Sequence, residues 1–203
     1  MKPSPQSNPI APYLTRTIIP YVTEGIDQHL DLLAAASMIF IGGGELAELP
    51  GVLSKLEKPP YAKIPVLLHI DLVNGLSSDE SGLRYVATLD RIDGVITVRH
   101  HLAPVARKLG LMSVVRLFLQ DGRAVERGLQ VIDKSRPDAI ELLPGVAFLQ
   151  VSDRFGGSPV PVIAGGLIRT PEIAKQIVAA GCRAVSTSNL KLWEMNRAAG
   201  RGT

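Results

Sequence analysis

The 203-residue chain is long enough for one domain, and its 46% hydrophobic and 20% charged residues exclude an intrinsically disordered protein. The net charge of +3 is unevenly placed: residues 1–98 hold 7 basic and 11 acidic side chains, whereas residues 99–203 hold 15 and 8. A basic half is compatible with an anionic partner.

The single cysteine and the chain ends give three further expectations. Cys182 has no partner for an internal disulfide, which favours the reducing cytoplasm as the compartment, and we interpret it as a small buried residue. No apolar run reaches membrane length, so no membrane partner is expected. Because the first residues are polar and rich in proline, we predict a flexible tail over residues 1–15, one domain over 16–196 and a C-terminal tail over 197–203.

Short apolar runs recur along the chain, each followed by a helical pattern. Their nearly continuous hydrophobicity is typical of strands covered on both faces, as in a parallel sheet. Eight such runs occur: Thr17–Pro20, Met38–Ile41, Pro65–Ile70, Gly94–Val98, Ser113–Leu119, Ala139–Leu143, Pro161–Ala164 and Ala184–Ser186.

Amphipathic stretches lie between these runs. Residues 121–134 carry one apolar stripe and begin with Asp121, a candidate N-cap. A second stretch begins with Thr170 as cap and Pro171 in the first turn, and it stops at Gly181. Eight strand–helix units within residues 16–196 leave room only for short helices. The sequence therefore predicts an α/β fold, a compact (β/α)8 barrel of the TIM type with some shortened helices, in preference to a doubly wound sheet.

Small and hydroxyl-bearing residues follow the last two runs. In a (β/α)8 barrel the loops after strands seven and eight commonly bind phosphate. Glycine allows main-chain N–H groups to approach an anion closely, and a helix N-terminus adds a partial positive charge. Since no nucleotide-binding glycine motif occurs, a single phosphate is expected. The predicted phosphate donors are Gly165, Gly166, Ser186, Thr187 and Ser188.

Polar side chains also occur in the middle strands, where burial is costly without a purpose. His69 and Asp71 are two residues apart and therefore share a strand face, and the alternative for His69 is a hydrogen-bonded core residue. Arg116 and Glu141 belong to neighbouring strands, where they either neutralise each other or bind a polyol hydroxyl. Acid–base catalysis by His69, Asp71 or Glu141 stays open, but no metal site or cofactor is predicted.

Six stretches of the sequence together form a recognisable pattern: LLHIDLVNGLSSDE, DGVITVRHHL, ARKLGLMSVVRLFLQD, RPDAIELLPG, PVIAGGLIRT and AVSTSNLKLW. In matching order over roughly residues 16–195, they resemble the glycerol-3-phosphate-responsive transcription antiterminator family of bacteria. The resemblance implies a barrel that binds glycerol 3-phosphate and acts on the leader mRNA of glycerol-catabolism genes.

The resemblance supports the phosphate donors and implies that His69, Asp71, Arg116 and Glu141 line the polyol end of the ligand. Two positions depart from the family pattern. The family usually has an arginine where this chain has Thr23, and it usually has Asp-Thr where this chain has the glycines at 42–44, interpreted here as a flexible turn. Ligand identity or affinity is therefore open.

Basic residues on the predicted outer helices are candidates for RNA contacts. The candidate RNA contacts form one predicted basic patch on the outer helices: Arg107, Lys108, Arg123, Arg127, Lys134 and Arg136. One alternative is a small barrel enzyme acting on a phosphorylated three-carbon metabolite, with Asp71 or Glu141 as base. Another is a ligand sensor that contacts a protein partner, and a homo-oligomer is compatible with each hypothesis.

Overall fold

The computed structural model describes residues 8–199. Its eight main strands are parallel and close into a barrel in which each strand pairs with the next along the chain and the last pairs with the first. This architecture confirms the predicted (β/α)8 barrel. The barrel strands are β1 (Ile18–Val22), β2 (Ile39–Ile41), β3 (Val66–His69), β4 (Gly94–Thr97), β5 (Met112–Phe118), β6 (Ala139–Leu143), β7 (Val162–Gly165) and β8 (Ala184–Thr187).

The helices that alternate with the strands are mostly short, as the chain length predicts. Both predicted N-caps form: Asp121 accepts a hydrogen bond from the Ala124 amide at 2.7 Å, and Thr170 accepts one from the Ile173 amide at 3.4 Å. The α-helices are α1 (Leu30–Leu33), α2 (Leu49–Ser54), α3 (Glu80–Val86), α4 (Ala103–Lys108), α5 (Gly122–Ser135), α6 (Phe148–Phe155), α7 (Pro171–Ala179) and α8 (Leu190–Ala199).

The core has two layers because successive strand residues face opposite sides of the sheet. One apolar cluster fills the inside of the barrel and contains Ile19, Phe40, Leu67, Ile96 and Ile163. A larger cluster lies between the strands and the helices. The inner cluster occupies the lower and middle barrel, which leaves the carboxyl ends of the strands for polar side chains.

Residues 8–14 pack against the barrel. Ile10 and Leu14 belong to the inner cluster with 0% and 7% exposure, and the Asn8 side chain donates to the Asp138 carbonyl at 2.8 Å. The predicted flexible tail is therefore wrong for residues 8–14, because two apolar side chains in this proline-rich segment cover the N-terminal end of the barrel. Residues 1–7 lie outside the described residues.

The last helix closes the fold against β1. The Asn196 side chain accepts from the Ile18 amide at 3.2 Å and donates to the Ile18 carbonyl at 2.8 Å. Because α8 continues to Ala199, the predicted domain end at residue 196 lies inside a helix, and residues 200–203 of the predicted tail are outside the described range. None of the helices within residues 8–199 is long and apolar enough to cross a membrane.

The three glycines after β2 form a defined turn. A Cβ on Gly42 would lie 2.3 Å from the Tyr21 ring. Gly43 has a φ of +112°, and a Cβ there would lie 2.3 Å from the Leu72 carbonyl oxygen. The next two residues, Gly44–Glu45, pair with Val73–Asn74 in a separate two-stranded sheet. The predicted flexible turn is thus held by Tyr21 and by the segment after β3.

Candidate functional site

A cavity of about 400 Å³ opens at the carboxyl ends of β5–β8. A larger one of about 740 Å³ lies at the opposite end, where residues 8 and 9 meet the start of β5 and β6. We assign the functional site to the first, because barrel functional groups gather at the carboxyl ends of strands and charged side chains converge there. Its walls are Tyr21, Arg116, Glu141, Leu143, Gly166–Arg169 and Ser186–Asn189.

An ion pair between the buried Glu141 and the partly buried Arg116 forms the floor of this cavity. Glu141 is 0% exposed and aligned with Arg116 on the neighbouring strand, and its Oε2 accepts from Arg116 Nε at 2.5 Å. Its Oε1 accepts from the Ser186 hydroxyl. Burial lowers the pKa of Arg116, but the charge and hydrogen bond of Glu141 outweigh burial and raise it above its usual value. The predicted Arg116–Glu141 pair therefore exists, and both carboxylate oxygens are occupied.

His69 lies behind Arg116 and is 3% exposed. Its Nδ1 is 3.3 Å from Arg116 Nη1 and 2.8 Å from the Tyr21 hydroxyl. A guanidinium can only donate, so Nδ1 must be the accepting nitrogen and the ring proton is assigned to Nε2. Nε2 faces Asp71 Oδ2 at 3.5 Å. The imidazole therefore joins the cavity arginine to a carboxylate on the next loop.

Asp71 connects the ends of β3 and β4. Its carboxylate accepts from the Val98 amide at 2.8 Å and from the Thr97 hydroxyl at 3.1 Å. Burial raises the pKa of Asp71, but the contacts with His69, the Val98 amide and Thr97 together lower it below its usual value. Asp71 is thus an ionised anchor outside the cavity wall. Of the four predicted polyol-end residues, Arg116 and Glu141 line the cavity, whereas His69 and Asp71 support it from behind.

Tyr21 is a cavity residue that the sequence analysis did not identify. Its ring packs 5.0 Å from the Arg116 guanidinium carbon, and burial raises the pKa of its hydroxyl. Gly42 leaves the space that the ring fills. The signal in the sequence was period-two alternation, since Tyr21 shares a face with the inward-pointing Ile19.

The β7 loop presents free main-chain amides to the cavity. Gly166 and Leu167 both adopt left-handed conformations, with φ of +74° and +59°. Within residues 8–199 no backbone carbonyl accepts from the amides of Gly166, Leu167 or Ser188. Successive amides on such a turn form a concave anion-binding surface. The two loops therefore offer unpaired donors to the same cavity.

The predicted phosphate residues divide into two levels. Gly166, Thr187 and Ser188 line the cavity. Gly165 is buried in β7, where a Cβ would lie 2.5 Å from Glu141 Oε1 and 2.6 Å from Ser186 Oγ. Ser186 reaches the cavity wall, but its hydroxyl donates to Glu141. Gly165 and Ser186 thus shape the floor beneath the free amides.

The six basic RNA candidates are all exposed, and they are spread along the barrel axis. Arg107 and Lys108 end α4, and Arg136 follows α5, so these three lie towards the N-terminal end of the barrel, away from the cavity. Arg123 and Arg127 lie in the first half of α5, on the cavity side. Lys134 is eleven residues after Arg123, about 16 Å further along the helix. Because α5 spreads these side chains along the barrel axis, the single basic patch stays a prediction.

Known proteins of similar sequence share this barrel fold. The sequence model of the family described as glycerol-3-phosphate responsive antiterminator matches residues 18–193. The crystal structure of a glycerol uptake operon antiterminator regulatory protein from Listeria monocytogenes has 35% identity and a TM-score of 0.79, over 89% of this chain and 96% of that one. An antiterminator-related protein from Thermotoga maritima has 30% identity and a TM-score of 0.77, over 88% and 98%. The Escherichia coli protein YgcP is 26% identical over 179 residues, 88% of this chain and 92% of its own.

Proposed function

Because the chain belongs to the glycerol-3-phosphate responsive antiterminator family, we propose that it binds glycerol 3-phosphate at the barrel mouth and regulates transcription by contacting leader mRNA. The observation that carries the proposal is that the β7 and β8 loops line one cavity together with the partly buried Arg116, and that the amides of Gly166, Leu167 and Ser188 donate to no backbone carbonyl within residues 8–199. Contact with a nascent transcript would require a location in the bacterial cytoplasm, which is part of the proposal.

The phosphate of the ligand is proposed to bind at the amides of Gly166, Leu167 and Ser188. These groups donate to no backbone carbonyl within residues 8–199, so an anion adds hydrogen bonds without breaking any of that kind. The hydroxyl of Thr187 accepts from the Asn189 amide at 3.1 Å and retains its own proton for donation. A single phosphate matches this small set of donors.

The hydroxyl groups of the ligand are proposed to meet Arg116 and Glu141 on the cavity floor. Arg116 is held from three sides, by Glu141, by the Tyr21 ring and by His69. A side chain fixed in this way loses little conformational freedom when a ligand binds. Thr23 is exposed at the end of β1 and the glycines at 42–44 follow β2, so these departures from the family pattern act at the mouth.

The arrangement favours a regulator over the alternative of an enzyme. The two carboxylate oxygens of Glu141 accept hydrogen bonds from Arg116 and Ser186. Those of Asp71 accept from the Thr97 hydroxyl and the Val98 amide at the end of β4. A carboxylate in such contacts is a poor general base because proton uptake breaks existing hydrogen bonds. An aldolase of the same fold has a TM-score of 0.67 at 13% identity, which shows the barrel alone.

Calorimetric titration tests the ligand. We expect glycerol 3-phosphate to bind and free glycerol to bind at least tenfold more weakly. Gly166→Ala adds a methyl group to the free-amide turn, whose nearest other atom is a Leu143 methyl at 3.5 Å, so the variant should fold and lose affinity. The matched control is Gly157→Ala, since a Cβ there meets no atom within 4 Å. Unchanged affinity in Gly166→Ala would place the phosphate elsewhere.

Filter binding of a glycerol-operon leader transcript, at two salt concentrations with and without glycerol 3-phosphate, tests the RNA step. Linkage requires the two ligands to strengthen each other by the same factor, corresponding to about 1–3 kcal/mol in typical cases. Equal RNA binding with and without the ligand would contradict the switch. Turnover of glycerol 3-phosphate at ordinary enzymatic rates, lost in Asp71→Asn, would support the enzyme alternative instead.

A further inference from the structure

Four of the large apolar side chains that are most exposed in residues 8–199 surround the barrel mouth. Leu72 follows β3, Val98 follows β4, Phe118 ends β5 and Leu167 follows β7, with exposures of 48%, 43%, 53% and 64%. Exposed apolar groups gathered at one place on a soluble domain indicate an interaction surface.

Val98 follows β4 and Phe118 ends the adjacent strand β5, and the loops that follow both strands carry cationic residues. The turn His100–Leu102 packs against α5, which begins after the β5 loop, so residues 98–101 and 118–127 form one continuous edge of the mouth. We name this edge the β4–β5 lip. Its exposed cationic residues are Arg99, Arg123 and Arg127, and the exposed imidazoles of His100 and His101 lie 6.2 Å apart between ring centroids.

The acidic side chains near the lip are already engaged. Asp71 accepts from the Val98 amide, Asp121 caps α5 through the Ala124 amide, and Glu126 pairs with Arg154 at 2.6 Å. Arg99 lies 3.6 Å from Asp71 through Nε alone, so its two terminal nitrogens remain directed elsewhere. An exposed aromatic ring on the same edge as exposed arginines is a combination that suits unpaired bases and their phosphates.

We propose that the β4–β5 lip is the RNA-binding surface and that it holds a single-stranded segment, with a base stacked on Phe118 and phosphates on Arg123 and Arg127. This inference rests on the proposed function. It replaces the outer-helix candidates Arg107, Lys108 and Arg136, which lie towards the opposite end of the barrel, far from any ligand in the cavity.

The location also provides a physical connection between the two ligands. Arg116 in the cavity contacts His69, His69 faces Asp71, and Asp71 holds the Val98 amide of the lip. A ligand that hydrogen-bonds to Arg116 therefore changes the polar contacts that fix the end of β4. The lip and the cavity are thus joined by one run of polar contacts, which is a physical path for energetic coupling between two sites.

Substitutions at Phe118 test the stacking. Phe118→Ala should weaken leader-transcript binding about tenfold, corresponding to the loss of one stacked base, while Phe118→Tyr should bind like the wild type. Tyr85→Ala is the matched control, because Tyr85 is 43% exposed on α3, away from the lip. Calorimetry on each variant should return the wild-type affinity for glycerol 3-phosphate.

The salt dependence tests the phosphate contacts. Arg123→Gln should reduce the slope of log affinity against log salt by about one, and Arg136→Gln should leave it unchanged. Wild-type RNA affinity in Phe118→Ala, or a stronger effect of Arg136→Gln, would overturn the lip while leaving the proposed function intact. No binding of the transcript by the wild type would instead reject the proposed function. A dimer in the wild type that becomes a monomer in Phe118→Ala, with unchanged RNA affinity, would assign the lip to a second copy.

Discussion

Gly165 lies directly beneath Glu141, so close that a Cβ on the glycine would be 2.5 Å from Glu141 Oε1. The same Cβ would be 2.6 Å from the Ser186 hydroxyl oxygen that donates to this carboxylate. The absent side chain is therefore what allows the buried Glu141 to meet both Ser186 and Arg116 above β7. The adjacent Gly166 has a different task, since it opens the amide turn to the cavity.

Gly165→Ala should lower the free energy of unfolding by about 2–3 kcal/mol, because the added methyl group overpacks a buried polar cluster. Urea denaturation measures the change. Gly166→Ala is the comparison: its methyl group meets nothing closer than 3.5 Å, and its cost is the left-handed backbone strain of about 1 kcal/mol. If both variants lose the same stability, the close packing at Gly165 is not the cause.

The barrel and its ion pair were predictable from sequence because they depend on local patterns. Continuous apolar runs identified all eight strands, and the parallel order then placed Arg116 beside Glu141. The division of labour between Gly165 and Gly166 was not predictable. It depends on which of two consecutive glycines still belongs to the pleated strand, and a one-residue difference exchanges the buried and exposed sides.

The positions of Tyr21, Ile10 and Leu14 depend on tertiary structure that the local sequence pattern does not show. Tyr21 belongs to β1, which meets β8 only when the two ends of the barrel sequence join, so its place beside the β7 and β8 loops depends on tertiary structure. Ile10 and Leu14 were predicted in a flexible tail because the surrounding composition is polar and proline-rich. In the fold, both side chains pack into the inner cluster at the N-terminal end of the barrel, and this packing fixes the segment.

Tyr21→Phe should weaken the support of His69 while keeping the ring under Arg116. The lost hydroxyl leaves the 2.8 Å contact with His69 Nδ1 unmade, at a cost of about 1 kcal/mol in unfolding free energy. Tyr21→Leu also removes the ring that packs 5.0 Å from the guanidinium, and it should reduce glycerol 3-phosphate affinity further. Calorimetry on the three proteins measures the order. Equal ligand affinities would contradict a role for the ring in positioning Arg116.

Asp71→Asn should make the protein less stable at neutral pH but not at low pH. The pKa of Asp71 is lowered in the folded state, so the ionised carboxylate stabilises the fold above the unfolded value of 3.8, and this contribution is lost as the pH falls through the folded pKa. Urea denaturation at pH 7 should show a loss of about 1–2 kcal/mol in the variant. Below pH 3.8 the two proteins should converge. A constant difference across this range would show that the charge is not responsible.

The Cys182 thiol should be unreactive in the folded protein. It is 2% exposed, and burial raises its pKa to about 12, so the nucleophilic thiolate is scarce at neutral pH. We expect a disulfide exchange reagent to modify Cys182 only as fast as the barrel opens, with urea restoring the full rate. Cys182→Ser should give no reaction under either condition and serves as the blank. Rapid modification of the native protein would contradict the burial of Cys182 in the apolar cluster between the strands and the helices.

Leu167 holds a left-handed backbone conformation that a leucine adopts only under strain, with φ of +59° and 64% of its surface exposed. Because most of the Leu167 side chain is exposed, its removal costs little packing. Leu167→Gly should therefore raise the free energy of unfolding by about 0.5–1 kcal/mol through relief of the backbone strain. Arg136→Gly is the matched control, since Arg136 has φ of +45° far from the cavity. Both variants should gain stability in urea denaturation, but only Leu167→Gly should lose affinity for glycerol 3-phosphate, because the freed loop no longer holds its amides in place. A gain in ligand affinity in Leu167→Gly would show that the strained turn opposes binding.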